Sequence, residues 1–194
     1  MKFKPSYTSS IAEDIMAERL IRAQAVEFLA DAPMRLKSGL ISPVYVDNRK
    51  LFSHPEAWRD IVETMASRVE EYDLEFDIVA GVEAAGSMHA AALAYRLGLP
   101  AIMVRQKAKT YGNHSRIEGG DVKGMRVLLL EDHISTGLSC LDAIRALRGE
   151  GAQVTQVMSI TNYAIPETQR LFKQEGIDTY DVIAFEKVVR KAKE

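Results

Sequence analysis

The 194-residue chain contains one cysteine, Cys140, and one tryptophan, Trp58. A lone cysteine excludes an intrachain disulfide and fits a reducing compartment. No apolar run reaches the roughly 20 residues that a membrane-spanning helix needs. Residues 1–10 lack the apolar centre of a signal peptide. A cytoplasmic protein with no membrane contact is therefore expected. An excess of one charge sign is missing too: 25 Lys and Arg against 27 Asp and Glu leave a net charge of −2. That balance argues against non-specific nucleic-acid binding, and no nucleic-acid partner is expected. Internal repeats and low-complexity linkers are absent from the sequence. What is present, 47% apolar and 27% charged residues, is ordinary for a globular domain with a sizeable core.

Hydrophobic period organises the chain. Ser10 with Glu13 makes a capping-box pattern. Apolar residues at Ile11, Ile15, Leu20, Ile21, Ala25, Phe28 and Leu29 predict a helix running to about Ala30. Residues 34–37 and 44–46 read as two short strands joined by a tight connection, with turn signals at Ser38-Gly39 and Ser42-Pro43. Strands and helices then alternate. Helix 55–71, with Ser53 as its N-cap, precedes strand 77–80, helix 87–97 and strand 100–104. Strand 126–130, helix 138–148, strand 154–161, helix 166–174, strand 180–185 and a charged helical tail 186–194 follow. Residues 105–124 hold four glycines and no apolar period, which predicts a long loop. Such alternation implies an α/β fold, a parallel sheet flanked by helices. Ligands of such sheets bind beyond the carboxyl ends of the strands. Residues 1–52 form an N-terminal helix and a small hood; residues 53–194 form the α/β core, and the two make one structural domain.

The densest chemistry lies in residues 126–139, RVLLLEDHISTGLS. An apolar strand delivers Glu131 and Asp132 to its carboxyl end. A turn of hydroxyls and glycine follows, and then a helix begins. The start of a helix offers unpaired N–H groups and a positive dipole, a good seat for phosphate. Ser135, Thr136 and Ser139 add hydroxyl donors. Two carboxylates facing that phosphate would repel it, so they suit a sugar diol or a developing positive charge. A phosphorylated ribose carries both phosphate and diol. Residues 77–87, DIVAGVEAAGS, repeat the strand–glycine turn–helix order. The spacing of Gly81 and Gly86 suggests a P-loop, but no lysine follows Gly86, which disfavours a nucleoside triphosphatase. The loop 105–124 is basic and long enough to act as a lid.

These segments resemble one family. Residues 126–139 look like the phosphoribosyl pyrophosphate (PRPP) motif of type I phosphoribosyltransferases. The stretch from Arg35 to Arg49, RLKSGLISPVYVDNR, and the lid RQKAKTYG followed by IEG are similar to orotate phosphoribosyltransferases. The likeness runs from about Phe28 to Asn162. It implies a type I phosphoribosyltransferase-like sheet with an N-terminal hood. It also implies transfer of ribose 5-phosphate from PRPP to orotate, giving orotidine 5′-monophosphate and pyrophosphate in pyrimidine synthesis.

By the same resemblance, PRPP would be bound by Lys37, Arg105, Gln106, Lys109, Tyr111, Glu131, Asp132, His133, Ile134, Ser135, Thr136, Gly137, Leu138 and Ser139. Lys109, Glu131 and Asp132 would be the catalytic residues. Residues 81–87 would receive pyrophosphate, and Tyr45, Val46, Ser135 and Asn162 would border orotate. Mg²⁺, held mainly by PRPP rather than by a protein metal site, would be the cofactor. The lid would reach into a second subunit of a homodimer. The chain departs from the family pattern at several positions. Gln106 replaces a usual lysine, Thr110 an aspartate, and Ala85 a lysine found in some members. His133 and Leu138 replace smaller or aliphatic residues, and Asn162 replaces an arginine that pairs with the orotate carboxylate. A transferase acting on a different base and a PRPP-fold regulator without catalysis are the alternatives. Outside these motifs, His54 reads as local capping, His89 as packing, His114 as a solvated lid residue and Cys140 as core.

Overall fold

A computed structural model describes residues 9–29, 33–35, 39, 41–108 and 115–192. The alternating apolar segments build one six-stranded sheet in the order β10-β9-β8-β5-β6-β7. Its strands are β5 (Ile78–Val82), β6 (Ala101–Val104), β7 (Ile117–Glu118), β8 (Arg126–Ile134), β9 (Gln153–Asn162) and β10 (Asp178–Asp181). All neighbours pair in parallel except β7, which runs antiparallel to β6. Helices α1 (Ser9–Arg22), α2 (Pro55–Glu71), α3 (Ala85–Leu97), α4 (Leu138–Gly149), α5 (Pro166–Gln174) and α6 (Phe185–Lys191) flank it. The expected α/β architecture is therefore the observed one.

The apolar run of β8 shows why its sequence has no polar alternation. Leu128 and Leu130 enter a core shared with α1, α2, α3 and α6, whereas Val127 and Leu129 enter a second core under α4 and α5. A strand covered on both faces must be apolar at every position. Each fully buried leucine contributes roughly 1.5–3 kcal/mol, and Leu128, Leu129 and Leu130 are all fully buried.

Several predicted boundaries move. The first helix stops at Arg22 instead of continuing to about Ala30. Gln24 takes a left-handed φ of 54°, which no helix accommodates. Val26–Phe28 then becomes β1, antiparallel to β4 (Val44–Val46). The two hood strands expected to pair with each other do not: β2 (Met34–Arg35) pairs with β3 (Ile41–Ser42), and β4 belongs to β1. A 3-10 helix, Asn48–Ser53, follows and has no hydrophobic period to announce it. Ser53 ends that helix, so the residue at the N-cap of α2 is His54, whose side chain makes no capping bond. Its Nδ1 instead lies 3.0 Å from the Lys50 carbonyl. The long loop 105–124 contains β7. Strand β10 precedes its expected position and α6 begins at Phe185. The side chain of Ser10, half of the capping box, lies outside the described residues.

His89 on α3 is packing, as expected. It is fully buried, accepts a hydrogen bond from Trp58 Nε1 at 3.1 Å and lies 4.7 Å from the Phe52 ring. Burial pushes its pKa from 6.5 down to about 3. The unfolded chain takes up this proton near pH 6.5 and the folded chain resists it. The stability His89 contributes is thus complete above pH 6.5 and is lost as pH falls toward 3. Denaturant unfolding should show His89 costing about 2 kcal/mol between pH 7 and pH 5. A His89→Gln variant should have a visibly flatter pH dependence over that interval; an unchanged slope would contradict the assignment.

Candidate functional site

The carboxyl end of β8 and the start of α4 form the centre of the site. The strand runs four residues further than its apolar run suggests, because the long β9 continues to pair with it. Glu131 lies opposite Ser159, His133 opposite Thr161 and Ile134 opposite Asn162. The acids therefore sit within the ladder and not beyond it, which fixes their backbone. The turn Ser135–Gly137 then leads into α4. Gly137 adopts φ 70°, and a Cβ there would press on the Phe172 ring and Thr168 Cγ2, each at 2.9 Å. Both the left-handed backbone and the crowding call for glycine. Thr168 Oγ1 donates to the Ser135 carbonyl at 3.0 Å, which pins the turn to α5. No side chain caps α4, so its first turn keeps N–H groups that no side chain of the cap occupies. Ile134 is buried, whereas Leu138 is exposed.

Glu131 points under this turn and is only 6% exposed. Its Oε2 accepts from Ser139 Oγ at 2.9 Å, and its Oε1 accepts from the Asp132 N–H at 3.1 Å. The Ser139 hydroxyl, expected to face a phosphate, is thus occupied by Glu131. Burial, reinforced by the charge of Asp132, raises the Glu131 pKa well above the usual carboxylate range. Burial raises Asp132 as well, opposed by a hydrogen bond from Glu131 and by the nearby Arg49. The pair is therefore biased toward sharing one proton. That removes one of the two negative charges which would otherwise oppose a phosphorylated ligand. Cys140 is buried beneath, its Sγ 3.9 Å from Glu131 Oε2. It is core, as expected.

The loop between β5 and α3 abuts the same acid. A Cβ on Gly86 would meet the Leu130 carbonyl at 2.6 Å and Glu131 Oε1 at 3.3 Å. Glycine here lets the start of α3 approach β8. The peptide between Glu83 and Ala84 is cis. Glu83 ties this loop to the root of the lid: its Oε2 accepts from the Gln106 N–H at 3.1 Å, and its carbonyl accepts from Gln106 Nε2 at 3.2 Å. Arg105 pairs with Glu118 at 2.9 Å, and Arg116 Nε donates to the Arg105 carbonyl at 2.8 Å. The two ends of the lid are therefore joined. Lys37, Ser38, Lys109, Thr110, Tyr111 and His114 lie outside the described residues.

Two strand–turn–helix cups, around residues 81–87 and 131–139, thus meet at one acid pair beside a basic loop. The comparisons with known proteins agree on what carries this arrangement. Residues 47–190 match the family described as "Phosphoribosyl transferase domain". The orotate phosphoribosyltransferase of Coxiella burnetii is 42% identical over 177 residues, covering 91% of this chain and 85% of that protein. The chain belongs to the orotate phosphoribosyltransferase family. Among solved structures, orotate phosphoribosyltransferase from Aeropyrum pernix superposes with a TM-score of 0.79 at 25% identity, covering 92% of this chain and 99% of that one. The Mycobacterium tuberculosis enzyme in complex with PRPP gives 0.70 at 26% identity, covering 91% and 98%.

Arg49 Nη2 lies 3.4 Å from the Tyr45 hydroxyl, and Val46 is buried against β1. Asn162 is 2% exposed; its Nδ2 donates to Asp181 at 3.4 Å and its Oδ1 accepts from the Ala164 N–H at 2.8 Å. Both ends of its amide are thus held by the protein. Sequence reasoning passed over Asn48, Glu83, Thr161 and Tyr163. Asn48 sits inside the quoted hood motif, so its signal was available. Thr161 looks like an ordinary strand residue, and only register shows its place beside His133.

The raised pKa of Glu131 has a stability consequence. Its protonated form stabilises the fold fully below the ordinary 4.5, and that contribution is lost as pH rises through the elevated value. Glu131→Gln keeps the neutral form at every pH. Its melting temperature should exceed that of the wild type at pH 8, by about 2–4 °C per kcal/mol recovered, and the gap should close at pH 4. A lower melting temperature at pH 8 would contradict a desolvated acid.

Proposed function

We propose that this protein transfers ribose 5-phosphate from PRPP to orotate, forming orotidine 5′-monophosphate and pyrophosphate in pyrimidine nucleotide synthesis. The observation that carries this reading is the adjacent acid pair, buried Glu131 and half-buried Asp132, under the uncapped start of α4, in a chain of this family. The N–H groups of residues 135–139 would hold the 5-phosphate, and Glu131 and Asp132 the ribose hydroxyls. Residues 81–87, together with Lys37, Arg105 and Lys109, would take the pyrophosphate. Gln106 would contribute through its link to Glu83 and not through charge. Tyr45, Val46, Ser135 and Asn162 would border the base.

Breaking the bond from C1 to pyrophosphate leaves positive charge on the sugar, while the orotate ring nitrogen gives up its N–H proton to the departing pyrophosphate or to water and forms the new bond to C1. Cations around the leaving group lower that barrier by stabilising the charge it acquires. A closed lid would exclude water, which would otherwise hydrolyse PRPP. Among the described residues no group of three or more His, Cys, Asp or Glu is placed to hold a metal ion. Two adjacent carboxylates, one biased to the protonated form, suit Mg²⁺ that keeps most of its shell from PRPP oxygens and water. Mg²⁺ would supply charge neutralisation of the pyrophosphate.

The second subunit also belongs to this proposal. Met88, Ala91 and Tyr95 fall on one exposed stripe of α3, with Met88 47% and Tyr95 91% exposed. An apolar stripe of that kind, rooted beside residues 81–87, suits a copy of this chain whose lid completes the site. No helix among the described residues is long and apolar enough to cross a membrane, and the lone buried thiol suits the cytoplasm.

Orotate consumption followed by absorbance, with PRPP and Mg²⁺ supplied, tests the reaction. Turnover with orotate and none with other bases is expected; turnover only with another base would overturn the choice of substrate. A Lys109→Ala variant should lose about 100-fold or more in kcat while its melting temperature stays within about 2 °C of the wild type. Full turnover by that variant would contradict the lid role. Tyr95→Glu should shift the protein from dimer to monomer in sedimentation velocity and reduce turnover. An unchanged sedimentation coefficient would contradict the α3 interface.

A further inference from the structure

One polar cluster remains outside these roles, and it is buried where the hood meets the sheet. Asn48, the first residue of the 3-10 helix, is fully buried. Its Nδ2 donates to the Asp132 carbonyl at 2.6 Å and to Thr161 Oγ1 at 2.9 Å. Thr161 Oγ1 shares a further hydrogen bond of 2.9 Å with His133 Nδ1. The His133 ring stands edge-on to Tyr163, centroids 4.3 Å apart, and the Tyr163 hydroxyl donates to the Val44 carbonyl at 2.8 Å. A chain of contacts thus runs from the hood, through β9, to the strand that carries the acids.

Two features set this cluster apart from ordinary core packing. It is polar where apolar side chains would fill the space: His133 stands where the family pattern has a smaller or aliphatic residue. It is also incompletely satisfied. Asn48 Oδ1 and His133 Nε2 are buried with no hydrogen-bond partner among the described residues. Unpaired buried polar atoms cost stability, and their retention calls for an explanation such as a role at a site. The hood needs such an anchor, because β1 to β4 are each two or three residues long. Strands that short do not hold an orientation by themselves.

We infer that His133 is a positioning residue, which with Thr161 and Asn48 locks the hood to the Asp132 backbone. The inference rests on the proposed reaction and deepens it. Asp132 would hold the ribose hydroxyls and the hood would wall the base, so the lock sets the distance between sugar and nucleophile. His133 acts from behind Asp132 and not as a ligand of PRPP, since its Nδ1 is occupied by Thr161 and its ring is packed on Tyr163. Burial pushes its pKa down to about 4, so the lock stays neutral across the working range of pH. Small misplacements of reacting groups are costly in rate, which gives such a lock its value.

The test uses four variants of the full chain: Thr161→Val, Thr161→Ser, His133→Leu and the double variant Thr161→Val with His133→Leu. Each single change that breaks the pair strands a buried polar partner, and kcat/KM for PRPP should fall about tenfold. Thr161→Ser keeps the hydroxyl and should stay within about threefold of the wild type. The double variant replaces both partners by apolar groups. It should recover part of the melting temperature lost in Thr161→Val, the remainder reflecting the Asn48 N–H that loses its Thr161 acceptor, while kcat/KM for PRPP remains about tenfold down. Recovery of activity together with stability would mean that the pair serves only folding and would overturn the inference. Wild-type kinetics in Thr161→Val would overturn it equally. If the wild type fails to turn over orotate, the reaction assignment fails, and the same comparison is then read on PRPP affinity by calorimetry. There the double variant should bind about tenfold more weakly than the wild type, and equal affinity would overturn the lock.

Discussion

Glu131 is taken out of water where β8, the start of α3 and the start of α4 converge. A carboxyl group in that position is expensive to ionise, and three neighbouring features meet that constraint. Gly86 lets α3 come close enough to cover it, Ser139 turns its hydroxyl inward to bond it, and the Asp132 N–H supplies the remaining donor. The result is an acid pair whose carboxyl groups are both biased toward the protonated form by burial. A pair biased toward protonation opposes an anion at the nearby helix start less than two full negative charges would.

The sheet explains how this local arrangement is held. Strands β8 and β9 are nine and ten residues long, and both keep pairing beyond their apolar runs. The extra rungs are polar: Ser159 bonds Asp181, Thr161 bonds His133, and Asn162 is gripped by Asp181 and Ala164. Apolar burial on both faces of the sheet fixes the lower half of each strand. Hydrogen bonds fix the upper half, where the ligand would lie. The hood is tied down by Asn48 and by the Tyr163 hydroxyl.

Much of this was legible in the residues. The alternation after residue 53, the strand–turn–helix around Glu131 and the glycine turn after β5 all carry local signals: apolar period, glycine, hydroxyls. What stayed hidden depends on pairing between distant segments. Val26–Phe28 continues a helical period, yet Gln24 breaks the helix and Val44–Val46 offers a strand partner. The extension of β8 through the acids follows from β9, 28 residues further on at the Glu131–Ser159 rung. The link between Glu83 and Gln106 joins residues 23 apart in sequence through an exposed contact that no period announces. Asn48 and Thr161 lie 113 residues apart, so their union with His133 is a property of the fold alone.

The most direct test of the central claim is a crystal structure of this protein with ribose 5-phosphate. The account predicts the phosphate on the backbone N–H groups of residues 135–139 and the ring hydroxyls against Glu131 and Asp132. A sugar phosphate bound elsewhere, with this cup left to solvent, would contradict it.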